Sequence, residues 1–252
     1  MASSEDILRA LEASGSIADK YSCAVFTIDM NQKPELLGTA IIIERKSKSY
    51  LVTAGHVIKQ ANRAKRELFL AVNNHFVRLQ GLFILTEGQS DVLDLGVVAL
   101  SEQFVSEHKL QSIGEDMICP WEHTKQVFGF SHGYPVSKNK QSKALLGTKT
   151  FGITSYSYAG NFIELESTFS KYKKSLTQHS CLSYGSSSNG QKAISPRGKS
   201  GGGVWFIEDI STPEKIFLDS ILIESFDKPR VIFSTKIGFV LRIIDQHEKL
   251  TF

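Results

Sequence analysis

The sequence predicts an all-β protein, a sandwich or a pair of barrels, with a short helix at each end. Short runs rich in β-branched and aromatic residues recur from Tyr21 to Ile237, and Gly, Pro or Lys clusters punctuate them. No long helical pattern separates these runs, which argues against alternating strands and helices. The chain has 252 residues, 41% hydrophobic and 22% charged, so it can bury a sizeable core in one compact unit or two small packed ones.

The elements follow in order. Ser3 and Asp6 form a capping-box pattern, and Ile7, Leu8 and Leu11 recur at helical spacing, predicting a helix that ends near Gly15. Strands are expected at 21–28 (YSCAVFTI), 36–44 (LLGTAIIIE) and 50–54 (YLVTA). Residues 68–80 read as a hairpin, because Asn73 and Asn74 tolerate the positive φ of a two-residue turn. Further strands are expected at 81–86 and 95–100. After a polar, weakly patterned segment (101–124), a second set is expected at 126–130, 150–158, 161–167, 202–207, 215–225 and 230–237. Residues 168–192, rich in Ser, Lys and Gly and including the run 185–190, read as a loop. Val240, Ile243 and Ile244 predict a docked C-terminal helix. The division expected is an N-terminal helix (1–20), a first barrel (21–110), a linker (111–125) and a second barrel (126–252).

Composition narrows the function classes. A net charge of +3 makes no case for nucleic acid or a membrane as partner, and the cluster Lys171, Lys173 and Lys174 reads as a solvated loop. No stretch approaches the roughly 20 apolar residues of a membrane helix. The opening Met-Ala-Ser-Ser-Glu-Asp lacks the basic and apolar regions of a secretory signal. Cys23, Cys119 and Cys181 are a sparse, odd set that fits a reducing compartment, so the expected location is the cytoplasm. Cys119 and His123 have a spacing that invites a zinc reading. No second paired motif accompanies them, so a structural role is expected, with no metal and no cofactor.

Three local motifs carry chemistry. In 51–57 (LVTAGHV) an apolar strand ends at Ala54-Gly55, where the backbone can turn and present His56 at a rim. In 94–100 (DLGVVAL) Asp94 begins an apolar strand. Asp91 is a close rival, and a carboxylate at a strand start is commonly just a turn residue. In 194–205 (ISPRGKSGGGVW) Ser200 lies between Gly198 and the run Gly201 to Gly203. Glycines there permit a tight loop that points two N–H groups into one concavity, although a plain hairpin would use them too. Hydroxyl, imidazole, carboxylate and paired N–H groups are what peptide hydrolysis by serine requires.

The Thr-Ala-Gly-His string resembles the histidine motif of trypsin-like serine proteases, and Asp94-Leu-Gly matches that family's Asp motif better than Asp91 does. The order His, Asp, Ser is that family's, and differs in subtilisins and α/β-hydrolases. His56 and Asp94 are 38 residues apart and Ser200 follows 106 later, which puts the first two in one barrel and the third in the next. The resemblance runs from about Tyr21 to Ile244. It implies two packed six-stranded antiparallel β-barrels of chymotrypsin-like kind, and a serine endopeptidase working through an acyl-enzyme. It implies Ser200 as nucleophile, His56 as general base and then acid, and Asp94 orienting it. The N–H groups of Gly198 and Ser200 would form the oxyanion hole. A protein or peptide substrate would add as a strand along 220–225, past Ile223, Glu224 and Ser225.

Departures from the family are specific. Lys199 stands where secreted trypsins carry an activation Asp, so the resemblance is to the cytosolic and bacterial HtrA-like branch, here without a PDZ domain. Ile194, six before the nucleophile, replaces trypsin's basic-selective Asp and implies an apolar primary pocket. Glu224 or Asp227 reaching in would restore basic selectivity instead. Two competing readings use the same fold: a catalytically silent peptide-binding module, and a protease that stays latent until an activating protein partner orders the loop around Ser200.

Overall fold

Helix α1 (Ser4–Lys20) begins behind the expected capping box: the Asp6 N–H donates to the Ser3 hydroxyl at 3.1 Å, and the Ser3 N–H to the Asp6 carboxylate at 3.0 Å. It does not stop at Gly15. That glycine is buried against the Ser157 side chain, and Ala18 beyond it has no exposure. This packing outweighs the cost of about 1 kcal/mol that glycine imposes inside a helix. The computed structural model describes residues 3–31, 33–73, 75–87, 91–119, 128–139, 152–164, 166–184 and 194–250.

The first sheet is antiparallel and has seven strands: β1 (Ser22–Ile28), β2 (Pro34–Arg45), β3 (Lys48–Ala54), β4 (Leu68–Val72), β5 (His75–Arg78), β6 (Phe83–Leu85) and β7 (Leu95–Ala99). Their order is β5-β4-β1-β2-β3-β7-β6. The runs read from the sequence number seven here, one more than the six that the resemblance implies. The seventh arises because Asn73 (φ 49°) turns the chain once and Gly81 (φ 148°) turns it again, cutting 68–85 into three short pieces. The second sheet closes as a six-stranded barrel in the order β10-β13-β12-β11-β8-β9. It comprises β8 (Phe128–Gly133), β9 (Tyr156–Phe162), β10 (His179–Tyr184), β11 (Gly203–Ile207), β12 (Ile216–Asp227) and β13 (Arg230–Lys236).

Three local expectations need correction. The two strands expected at 150–158 and 161–167 are one strand, β9, followed by helix α4 (Glu166–Lys171). Gly160 is no turn: it pairs with Gly129 on one side and Tyr184 on the other. The expected loop 168–192 contains β10, whose polar His179, Ser180 and Ser183 hide a strand that the barrel pairs on both edges. The run 185–190 lies outside the described residues. Helices α2 (Gly55–Arg63) and α3 (Glu102–His108) carry no signal that periodicity picked out.

The two sheets share their cores. One cluster joins Val25, Leu51 and Val57 of the first half to Cys181, Ile223 and Phe233 of the second. Another joins Ile41, Val52 and Leu95 to Trp205, Ile221 and Ile237. Each such side chain contributes about 1.5–3 kcal/mol on burial, so the seam between the sheets is a rigid base for a site. The expected C-terminal helix, α5 (Ile237–Leu250), buries Val240 and Ile244 completely against the second cluster. No helix among the described residues is long and apolar enough to cross a membrane.

Candidate active site

Strand β3 runs straight into α2, so His56 is the second residue of a helix rather than part of a simple turn. Ala54, the N-cap, has no side chain to cap with. Asp94 does it from across the fold: its Oδ1 accepts the His56 backbone N–H at 2.8 Å, and its carbonyl accepts the Gly55 N–H at 2.7 Å. The other oxygen, Oδ2, lies 2.6 Å from His56 Nδ1. One carboxylate therefore holds both the backbone and the ring of His56. With it ionised, Nδ1 carries the proton and Nε2 keeps its lone pair. The ring stays accessible, with 45% of the side chain exposed.

Asp94 sits at φ 46°, a left-handed conformation that Asp tolerates, and the rival Asp91 builds the turn that puts it there. Asp91 Oδ1 accepts the Asp94 N–H at 3.0 Å, while Oδ2 accepts from Lys59 Nζ at 2.9 Å and Thr86 Oγ1 at 2.8 Å. Burial pushes the Asp91 pKa up, but these three donors outweigh it and hold the carboxyl below its ordinary value. The second barrel braces the same turn. His179 Nε2 donates to the Val92 carbonyl at 2.8 Å, and the Thr235 hydroxyl to the Leu93 carbonyl at 2.6 Å.

Ser200 lies on the opposite side of the seam. Four successive carbonyls of its loop accept hydrogen bonds from within the protein. Arg197 O takes the Val136 N–H at 2.8 Å, Gly198 O the Thr39 hydroxyl at 3.0 Å, Lys199 O the Gly202 N–H at 2.8 Å and Ser200 O the Thr39 N–H at 2.8 Å. The N–H groups of Gly198 and Ser200 donate to nothing among the described residues. Gly198 (φ 95°) and Gly201 (φ 88°) take conformations that side chains resist, and a Cβ at Gly201 would strike the Thr39 carbonyl and the Thr53 hydroxyl. Gly38 marks how near the halves are: a Cβ there would lie 2.7 Å from the Ser200 carbonyl and 2.6 Å from Val57, the neighbour of His56.

The structure thus joins His56 to Asp94 directly and brings Ser200 against the same strands. The Ser200 hydroxyl makes no hydrogen bond to His56 or to any other described residue. Sequence reasoning missed Thr39. It is fully buried and bonded to Gly198 O, Ser200 O, the Tyr134 N–H and, through its own carbonyl, the Thr53 hydroxyl. A lone threonine in an apolar strand gives no signal of such a role.

The expected substrate residues divide. Beyond Ile221, which pairs with Gly203 of β11, strand β12 continues to Asp227 paired only with β13. Its other edge is open from Ile223 onward among the described residues. Glu224 is exposed and paired with Lys174 at 3.2 Å, and Ser225 is half-buried. Ile223 is buried in the shared core at a register shift, so only its backbone faces that edge. Ile194 is half-buried against an apolar cluster of Tyr158, Leu182, Tyr184, Val204, Leu222 and Ile232. Its carbonyl accepts the Tyr158 hydroxyl. The Asp227 carboxylate accepts the Tyr184 hydroxyl at 3.1 Å.

Burial pushes the thiols of Cys23, Cys119 and Cys181 each up to about 12. Burial of this kind disfavours the thiolate, the form that acts as nucleophile or metal ligand. His123 lies outside the described residues. Among those described, no group of three His, Cys, Asp or Glu side chains could hold a metal.

Comparison with solved structures finds similarity at low identity. A serine endoprotease from Yersinia pestis is 14% identical, with 94% of this chain and 65% of that chain covered and a TM-score of 0.55. This chain therefore spans 65% of that protein's length. A structure from work on the coupled folding and binding of the disordered Sesbania mosaic virus VPg protein is 14% identical over 86% and 87%, with a TM-score of 0.49. Rv3671c of Mycobacterium tuberculosis, in an inactive serine-to-alanine form, is 11% identical over 92% and 89%, with a TM-score of 0.49. No protein-family model and no curated protein sequence matches. The chain has a chymotrypsin-like fold, similar to that of the Yersinia pestis serine endoprotease.

Proposed function

We propose that this chain is a serine endopeptidase in which Ser200, His56 and Asp94 form the catalytic triad. The observation that carries the reading is the carboxylate of Asp94 gripping His56 at two points, across the seam from a serine flanked by two unbonded N–H groups. On this reading Ser200 Oγ attacks the scissile carbonyl while His56 Nε2 takes its proton, and Asp94 stabilises the imidazolium. The N–H groups of Gly198 and Ser200 receive the developing oxyanion. His56 then protonates the departing amine, and water hydrolyses the acyl-Ser200 by the same steps reversed. The substrate lies as an added strand on the open edge of β12, with Ile194 and its apolar cluster favouring an uncharged side chain at the cleaved position. The sparse, odd set of three cysteines supports a reducing compartment, the cytoplasm.

The unmade bond between Ser200 and His56 favours a second reading, a latent protease completed by substrate or an activating protein. Catalytic hydrogen bonds are commonly loose in free enzymes and tighten on binding, so both readings place the same residues in the same roles. The test is labelling by a fluorophosphonate together with cleavage of a randomised peptide library. Labelling that Ser200→Ala abolishes is expected, with cleavage after apolar residues. An unlabelled, inert protein would favour the silent binding module. Cleavage after Lys or Arg would sink the apolar pocket and point to Asp227.

A further inference from the structure

Lys199, between the two unbonded N–H groups, has no solvent exposure at all. Lysine is almost never buried this way without a counter-charge. Here the head is met by neutral groups: Nζ donates to the Ser131 carbonyl and hydroxyl, each at 2.9 Å, and lies 3.9 Å from the centre of the Tyr158 ring. Two hydrogen bonds and one aromatic face meet the head, and burial pushes its pKa well below the ordinary lysine value. No carboxylate pairs with it among the described residues. Stability does not explain such a group, since an apolar side chain of similar volume commonly serves as well or better.

Its place in the loop does. Ser131 is on β8 and Tyr158 on β9, adjacent strands of the closed barrel, and the Tyr158 hydroxyl also holds Ile194 at the start of the loop. Gly198, with φ 95° and no side chain, restrains its own peptide less than other residues would, and the Val136 N–H on the Arg197 carbonyl is the backbone bond that holds it. We propose that Lys199 is a positioning residue: its head, anchored by Ser131 and Tyr158 inside the barrel, holds the Gly198 and Ser200 N–H groups in the orientation that receives the oxyanion. This rests on the hydrolytic reading above. Ser131 itself, 2.9 Å from a lysine, is no second nucleophile, because it too is fully buried.

The test compares wild type, Lys199→Met and Ser131→Ala by steady-state kinetics, melting temperature and amide hydrogen exchange of the peptide spanning 197–202. Lys199→Met is expected to fold with an unchanged or raised Tm and to exchange faster in that segment. Its kcat should fall about 10²-fold with KM unchanged, the signature of a lost oxyanion donor. Ser131→Ala, which keeps the carbonyl partner, should move both readouts the same way by less, and it serves if Lys199→Met fails to fold. Wild-type exchange and kcat in the variants would overturn the proposal, as would a kcat loss that merely follows a fall in Tm. If wild type neither cleaves peptides nor reacts with a fluorophosphonate, the hydrolytic reading fails, and the exchange of 197–202 alone decides the anchoring.

Discussion

The two sides of the candidate site are held by opposite means. The Asp94 turn is a web of side-chain hydrogen bonds: Asp91, Lys59 and Thr86 shape it from the first sheet, and His179 and Thr235 tie it from the second. The Ser200 loop has its own backbone satisfied almost everywhere except at two N–H groups, and it is pinned by close approach at glycines and by one buried lysine. The difference teaches where each side is vulnerable. Many partners share the load at Asp94, so single losses there should be graded. At Ser200 a single atom in the wrong place leaves no alternative.

The largest expected effect follows from the chemistry itself. Ser200→Ala should cost on the order of 10⁶ in turnover while leaving the melting temperature near wild type, because the hydroxyl makes no hydrogen bond to any described residue. Activity within tenfold of wild type would remove Ser200 from the nucleophile's role. Asp94→Asn comes next. The amide oxygen can still accept the His56 N–H, but its NH₂ would face Nδ1 and impose the wrong tautomer. A loss of about 10⁴ in kcat is expected, and a loss under tenfold would show that Asp94 serves only as a helix cap.

Gly201→Ala tests the tightness of the nucleophile side. The added methyl meets the Thr39 carbonyl and the Thr53 hydroxyl at a left-handed φ, so destabilisation of at least about 1–3 kcal/mol is expected in denaturant titration. A milder effect than that of His179→Ala would show the nucleophile side to be the more tolerant of the two. His179→Ala leaves the Val92 carbonyl without its donor and should cost about 1–3 kcal/mol in stability, with partial activity retained because Thr235 and Asp91 still hold the turn.

The smallest effect is in acid. Burial holds the pKa of His132 and of His179 below the ordinary 6.5, so the unfolded chain takes up protons that the folded chain refuses. Their contribution to stability is complete above pH 6.5 and is lost as the pH falls from there toward the depressed folded values. Melting temperature should decline from pH 7 to pH 5 and decline less in a His132→Gln, His179→Gln double variant. Parallel profiles for the two proteins would place the acid sensitivity elsewhere.

By itself the sequence determined the all-β class, the capped N-terminal helix, most strands of both sheets and the three motifs around His56, Asp94 and Ser200. These are readable because alternation, turn chemistry and short motifs act over a few residues. Only the tertiary structure decided that α1 runs past Gly15 and that polar β10 is a strand. It alone gave Asp94 its two-point hold on His56 and Asp91 the turn beneath it, made Thr39 the hub beneath Ser200 and buried Lys199 in the barrel. Each of these turns on a partner far along the chain: β8 and β9 for α1, β9 and β13 for β10, the α2 N-terminus for Asp94, and Ser131 and Tyr158 for Lys199. Local propensity is blind to such partners, because the free energy that selects them comes from packing and hydrogen bonding that exist only once the two sheets have met.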